Sequence, residues 1–252
     1  MILGLIGYGH FGQAFVERLR STGLNIPILI SEGRGRNAEL LKQVDTLILS
    51  VRPFQLAELC KELREPLKNY GKGEKCIISF AAATPQTALA EALGYPVLRA
   101  MADLQFEQIL SLPDPRLHAL FSATSLNPFI EVAEEDELED YTILIACFAG
   151  IVAWQRLHNS VHAEEWLNTY AEYIHKKLSV PLSLLQAIIA KGMMDSDPAG
   201  TIFHMATPGG ITESLIQQLN RKPNSSLEEL YSAGLTRTAL VREAVMESLK
   251  RN

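Results

Sequence analysis

Through the first hundred residues, short continuous apolar runs alternate with segments of helical periodicity. Ile2 to Ile6 reads as a buried strand, and Ala14 to Leu19 follows with apolar residues at helical spacing. Ile26 to Ile30 predicts a second strand, Asn37 to Lys42 a short helix, and Asp45 to Val51 a third strand. Pro53 opens a predicted helix over Gln55 to Leu63, and Pro66 to Lys75 reads as a polar loop. Cys76 to Phe80 predicts a fourth strand, the residues after Pro85 a helix ending at Leu93, and Pro96 to Ala100 a fifth strand. Strands apolar on both faces and joined through helices predict an α/β fold with a Rossmann-type doubly wound parallel sheet. Ligands of such a sheet sit outside the carboxyl ends of its strands.

From Leu117 the pattern changes. Leu120 to Thr124 and Pro128 to Val132 read as short strands, and the acidic run Glu134 to Asp140 as a solvated linker and helix start. Beyond it everything reads as helix: Tyr141 to Leu157, Ala163 to Leu178, Leu184 to Met194, Pro198 to Met205, Glu213 to Leu219 and Leu227 to Leu249. The last is capped by Ser225 or Ser226 and bent near Gly234. The domains expected are therefore 1–137, the sheet, and 138–252, all helical. So apolar a first helix as Tyr141 to Leu157 predicts burial against a second copy of the chain, a homodimer through the helical domain.

The turn after the first strand carries the most specific chemistry. Gly7-Tyr8-Gly9-His10-Phe11-Gly12 is G-x-G-x-x-G between a predicted strand and a predicted helix, the context that marks a dinucleotide site. Gly7 allows the sharp turn, Gly9 clears the backbone for a pyrophosphate, and Gly12 lets helix and strand pack closely. His10 stands where it can touch phosphate or simply face solvent. The second strand ends in Ser31-Glu32-Gly33-Arg34-Gly35-Arg36, where this fold reads the adenosine ribose. Glu32 suits a free 2′-hydroxyl and hence NAD. Arg34 and Arg36 suit a 2′-phosphate, so NADP is slightly preferred and NAD stays open. Small residues at Ala81, Ala82 and Ala83 leave room for a flat ring at the end of the fourth strand, or simply make a tight strand-to-helix turn.

Bulk properties narrow the partners. The 252 residues carry a net charge of −6, which lacks the basic footprint of a nucleic-acid binder. The longest apolar stretch, Ile143 to Trp154, is too short to span a bilayer, so no membrane is expected. A strand that begins at the first residues leaves no signal peptide. Three scattered cysteines, Cys60, Cys76 and Cys147, read as reduced thiols of a cytoplasmic protein.

In the helical half, Ala206-Thr207-Pro208-Gly209-Gly210-Ile211-Thr212 interrupts the periodicity. Pro208 stiffens its entry, Gly209 and Gly210 leave backbone N–H groups uncovered, and Thr212 stands at a helix start with its hydroxyl free. Such a loop suits a small carboxylate, or is simply a capped turn. His158 and His162, followed by Glu164 and Glu165, have a metal-ligand spacing but straddle a predicted turn, so no metal is expected.

Taken together these stretches resemble the pyrroline-5-carboxylate reductase family along most of the chain. The glycine loop from Gly7 to Gly12 is similar to its cofactor loop, and Ser50-Val51-Arg52-Pro53 to its Val-Lys-Pro segment. Ile77 to Ala82 resembles its Ile-Ser-x-Ala-Ala/Gly strand end, and Thr207 to Thr212 its Ser/Thr-Pro-Gly-Gly-x-Thr loop. The resemblance implies a Rossmann domain followed by a helical dimerisation domain, with hydride transfer from NADP, or NAD, to a cyclic imine carboxylate. It implies cofactor contacts from the glycine loop, Ser31, Glu32, Arg34, Val51, Arg52, Pro53, Ala81 and Ala82. It implies that Gly209 and Gly210 hold the substrate carboxylate, that Thr212 bonds the ring nitrogen, and that Thr207 lies beside them. Two family segments are missing: Ala102-Asp103-Leu104 replaces a Met-Pro-Asn-Thr-Pro loop, and Leu144 to Ala149 replaces Gly-Ser-Gly-Pro-Ala-Tyr. A related reductase of another small carboxylate, or a non-catalytic nucleotide-binding protein on the same fold, therefore stay open.

Overall fold

The structure is a computed structural model, described here for residues 1–103, 106, 108–124, 129–158 and 162–251. It forms two compact units: Met1–Leu138 together with Leu240–Asn252, and Glu139–Ala239.

The first unit is built on a sheet in the order β2-β1-β3-β4-β5-β6-β7. Its strands are β1 (Leu3–Ile6), β2 (Ile28–Ile30), β3 (Thr46–Leu49), β4 (Cys76–Ser79), β5 (Leu98–Ala102), β6 (Ile109–Ser111) and β7 (Phe129–Glu131). The first five run parallel, as their mainly apolar and buried character predicts, with Arg99 the one charged residue among them. β6 pairs antiparallel with β5, and β7 runs parallel to β6. Helices α1 (His10–Ser21), α2 (Asn37–Gln43), α3 (Leu56–Leu67) and α4 (Gln86–Leu93) connect the parallel strands. The strand order reverses beside β1, between β2 and β3, and this is where a doubly wound sheet opens its crevice.

Two readings of this half are corrected. Leu120 to Thr124 is not a strand: it lies in and just beyond helix α5 (Pro115–Ala123). The Asp114 carboxylate accepts the Arg116 N–H at 2.8 Å, Pro115 occupies the first turn, and Leu117, Leu120 and Phe121 bury one helical face. Pro66 does not begin a loop, because α3 runs through it to Leu67. A proline in the last turn removes a single ladder bond, and Leu67 is buried in the same core as Leu63. β6 carries too few residues to show a period. Of the strand read over Pro128 to Val132, β7 covers the middle, and Pro128 lies outside the described residues.

The second unit contains the end of α6 (Glu135–Tyr141), a π-helical turn Thr142–Ala146, α7 (Phe148–His158), α8 (Ala163–Leu178), α9 (Leu182–Met193), α10 (Pro198–Met205), α11 (Ile211–Arg221) and most of α12 (Leu227–Lys250). The single helix expected over Tyr141 to Leu157 is broken, since the Cys147 N–H donates to the Thr142 carbonyl five residues back. The predicted turn after His158 falls on Asn159 and Ser160, which lie outside the described residues. Ser226 caps α12 reciprocally with Glu229: the Glu229 N–H donates to Ser226 Oγ and the Ser226 N–H to Glu229 Oε2. α12 runs through Gly234 as one helix. A Cβ there would lie 2.4 Å from Ile143 Cγ2, so its glycine admits the π-helical turn. The expected helical domain 138–252 also loses its end, because Val241, Val245 and Leu249 of α12 are buried in the core of the first unit. Burying each stabilises by roughly 1.5–3 kcal/mol.

Candidate functional site

The first candidate is a cleft of about 880 Å³ at the carboxyl ends of β1, β2 and β3. Gly7, at φ +100, turns the chain off β1, and a Cβ on it would lie 2.7 Å from the Ser50 backbone. The Ser50 hydroxyl pins this turn by donating to the Gly7 and Ile6 carbonyls. Gly9 is the N-cap of α1, with no side-chain cap bond and no acidic residue in the first turn. Hence no carboxylate of its own opposes the positive end of the helix. A Cβ on Gly9 meets nothing within 4 Å, whereas one on Gly12 would fall 2.1 Å from the Gly7 carbonyl oxygen. The two glycines divide the work: Gly12 allows contact between helix and turn, and Gly9 keeps the outer face clear. That open cradle fits the pyrophosphate of a dinucleotide.

The far end of the cleft has a built polar floor. The Glu62 carboxylate, from α3, accepts the Asn37 N–H at 2.9 Å and its amide Nδ2–H at 2.7 Å. The Asn37 Oδ1 so oriented accepts the Ser31 hydroxyl, and Ser31 Oγ in turn accepts the Gly33 N–H at 3.1 Å. Arg34 lines the cleft beside them, while Arg36 pairs with Glu39 at 3.1 Å on the surface.

The second candidate is the loop before α11, within the second unit. Gly210 is the N-cap of α11, so Thr212 sits inside the first turn and is not the cap. Its side chain is held on both sides: Oγ1 lies 3.2 Å from Cys147 Sγ, and a Cβ on Gly150 would lie 3.1 Å from its methyl. The expectation of a free hydroxyl is thereby corrected; the π-helical turn sets Cys147 against it. Burial pushes the Cys147 thiol up to about 12, partly offset by the Thr212 hydroxyl. A neutral thiol of that kind is a hydrogen-bond partner and no nucleophile. The loop amides are not uncovered either. The Gly209 N–H donates at 2.7 Å to Glu213 Oε2, and the Gly210 N–H at 2.8 Å to the Thr207 carbonyl. Arg237 of α12 donates through Nε, at 3.0 Å, and Nη2 to the Gly209 carbonyl.

Comparison with known proteins adds the fold. No family model and no curated protein sequence matches the chain. In fold, the chain is similar to two pyrroline carboxylate reductases. One is the Plasmodium falciparum enzyme with NADP bound: TM-score 0.56, 14% identity, covering 97% of this chain and 98% of that one. The other is pyrroline-5-carboxylate reductase from Coxiella burnetii: TM-score 0.54, 18% identity, covering 96% and 97%. DsGPDH of Dunaliella salina aligns at TM-score 0.51 and 12% identity, over 96% of this chain and 55% of its own.

Of the expected cofactor residues, Gly7, Gly9, Ser31, Arg34, Val51 and Arg52 line the cleft together. His10 and Gly12 follow in the first turn of α1. Phe11 turns its ring away, with centroids 4.8 Å from Phe106 and 5.2 Å from Phe80, so its backbone N–H is what it can offer a ligand. Glu32 is exposed outside the lining, Pro53 opens the 3-10 turn Pro53–Gln55, and Ala81 and Ala82 follow β4. Ala83 next to them holds a left-handed φ of 55 while fully buried, a strained turn of the kind concentrated at ligand sites. Sequence reasoning missed Asn37, Ser50, Glu62 and Arg237, whose partners lie 25 or more residues away. Nothing local signals them.

Proposed function

We propose that this protein is an NAD(P)H-dependent reductase that transfers hydride to a cyclic imine carboxylate, pyrroline-5-carboxylate, to give L-proline. The open cradle at Gly9, on the unopposed amino end of α1 and at the mouth of a dinucleotide-sized cleft, carries the reading. Arg34 in the lining and Glu32 outside it support NADP over NAD.

The imine is basic enough to arrive protonated, so no strong general acid is required of the chain. When bound, the dinucleotide supplies a hydride to the imine carbon, the C=N π electrons pass to nitrogen, and amine and oxidised dinucleotide result. Thr212 positions the ring nitrogen. The Thr212 hydroxyl, held against Cys147 Sγ, offers an oxygen lone pair to the iminium N–H. The Gly209 N–H receives the substrate carboxylate, while Gly210 shapes the loop and Thr207 fixes it by accepting the Gly210 N–H. Arg237 clamps the same loop from α12.

The segment Tyr141 to Leu157, expected to be covered by a second copy, is already largely buried within the single chain, so the second copy is proposed to cover a different apolar surface of the helical unit. Met194 is 84% exposed and Phe203 77%, and α10 buries none of its residues despite its apolar sequence. Among the described residues no helix is long and apolar enough to cross a membrane. The cysteines form no disulfide, which fits a reducing compartment such as the cytoplasm.

Oxidation of NADPH and of NADH, each measured with pyrroline-5-carboxylate, tests the reading. Turnover is expected with a preference for NADPH, and Thr212→Ala is expected to lower kcat at least tenfold while NADPH affinity stays constant. Equal turnover in that variant would remove Thr212 from the chemistry. Tight NADPH binding without turnover would reduce the proposal to a nucleotide-binding protein.

A further inference from the structure

We infer that Glu213 occupies the anion position of the Pro-Gly-Gly loop, so that this chain's own carboxylate competes with the carboxylate of an acid substrate. The inference rests on the reading above that the Thr207 to Thr212 loop is the substrate site.

The backbone of the loop is held at several points. Gly209 holds a left-handed φ of 72, and a Cβ on Gly210 would lie 2.5 Å from Thr207 Oγ1. The Gly210 N–H is committed to the Thr207 carbonyl, and the Gly209 carbonyl is gripped twice by Arg237. The remaining glycine donor, the Gly209 N–H, points at an anion already: Glu213 Oε2 at 2.7 Å, a charge-assisted bond. Glu213 is half-buried in the first turn of α11, one residue beyond Thr212, and also benefits from the positive helix end. One N–H cannot serve two carboxylates at this distance, and like charges repel. An entering acid must therefore send Glu213 out into water, and Glu213 has the side-chain freedom to go. An imine without a carboxylate meets no such contest. Glu213 thus weakens binding of acids at this loop relative to uncharged ring imines of the same size.

The test uses the full-length protein as wild type, Glu213→Ala and Glu213→Gln. Kinetics are measured with NADPH and either pyrroline-5-carboxylate or 1-pyrroline, which lacks the carboxylate. Tetrahydrofuran-2-carboxylate, an acid of similar ring size that cannot be reduced, is titrated calorimetrically in the presence of NADP. Glu213→Ala is expected to lower KM for pyrroline-5-carboxylate, and Kd for the furan acid, at least fivefold, with KM for 1-pyrroline changed less than twofold. Glu213→Gln keeps an acceptor for the Gly209 N–H without the charge. It should shift both in the same direction by less, and it serves if the alanine variant does not fold. An unchanged or weaker acid affinity, or an equal fall in KM for 1-pyrroline, overturns the inference. If neither imine is reduced, the reductase reading fails and calorimetry alone decides. Tighter acid binding in the variants upholds the role of Glu213, and equal or undetectable binding refutes it.

Discussion

Gly9 and Gly12 stand three residues apart in one motif, and the structure assigns them opposite sensitivities. In Gly12→Ala the new methyl would fall 2.1 Å from the Gly7 carbonyl oxygen and 3.1 Å from Ser50 Oγ. The nearest atom is backbone and cannot rotate away, so α1 has to slide roughly 1 Å off the turn, with an overpacking cost at the upper end of about 1–3 kcal/mol. Alanine recovers about 1 kcal/mol of helix propensity. The net loss is about 2 kcal/mol, or roughly 4–8 °C in Tm for a chain of this length. In Gly9→Ala the methyl meets no protein atom within 4 Å, and the backbone there, φ −79 and ψ −168, is ordinary extended geometry. Stability should move by no more than about 0.5 kcal/mol, on the favourable side if at all. The methyl instead fills the space assigned to the pyrophosphate, so NADPH affinity should fall at least tenfold, which is about 1.4 kcal/mol. Urea denaturation read by circular dichroism gives the first quantity, and NADPH fluorescence titration the second. Full stability in Gly12→Ala would refute the close-packing argument, and wild-type NADPH affinity in Gly9→Ala would refute the cradle.

Further expectations concern the helical unit and the thiols. Gly234→Ala sets a methyl 2.4 Å from the fully buried Ile143 and should cost about 1 kcal/mol net of helix propensity. A cycle with Ile143→Ala should show coupling above about 0.5 kcal/mol, and strict additivity would count against the contact. Burial pushes the Cys60 and Cys147 thiols up to about 12 and Cys76 up to about 11. The folded state therefore holds these protons more tightly than the unfolded chain, whose thiols titrate near about 8.5. That stabilisation is complete below the unfolded value and is lost as pH rises through about 11 to 12. Tm should fall across this alkaline window, and Cys60→Ala combined with Cys147→Ala should flatten the slope. An unaltered slope would assign the loss to other groups.

Elements with a strong local signature were legible. The spacing of G-x-G-x-x-G predicts the sharp turn at Gly7 and the close contact at Gly12, and both are seen; at Gly9 it predicts an open backbone, where a Cβ would meet no atom within 4 Å. The five parallel strands have mainly apolar runs, and α12 has a serine ahead of its amphipathic run, with Ser225 and Ser226 both open as caps until the structure shows Ser226 in that place. α5 takes the place of the strand expected over Leu120 to Thr124: Asp114-Pro115 is a helix-start signal, and Leu117, Leu120 and Phe121 have helical spacing. β6, at three residues, has no period to read.

Turn chemistry and periodicity are local properties, since glycine conformations, caps and amphipathic faces depend on residues within a few positions of each other. Partnerships over long separations arise only when the chain packs. Glu62 reaches Asn37, Arg237 takes the Gly209 carbonyl, Cys147 meets Thr212, and the end of α12 returns to the core of the first unit. Each depends on which elements pack side by side. A change from uncovered glycine amides to amides already bonded by Glu213 and Thr207 is visible only once the backbone dihedrals of Gly209 and Gly210 are fixed.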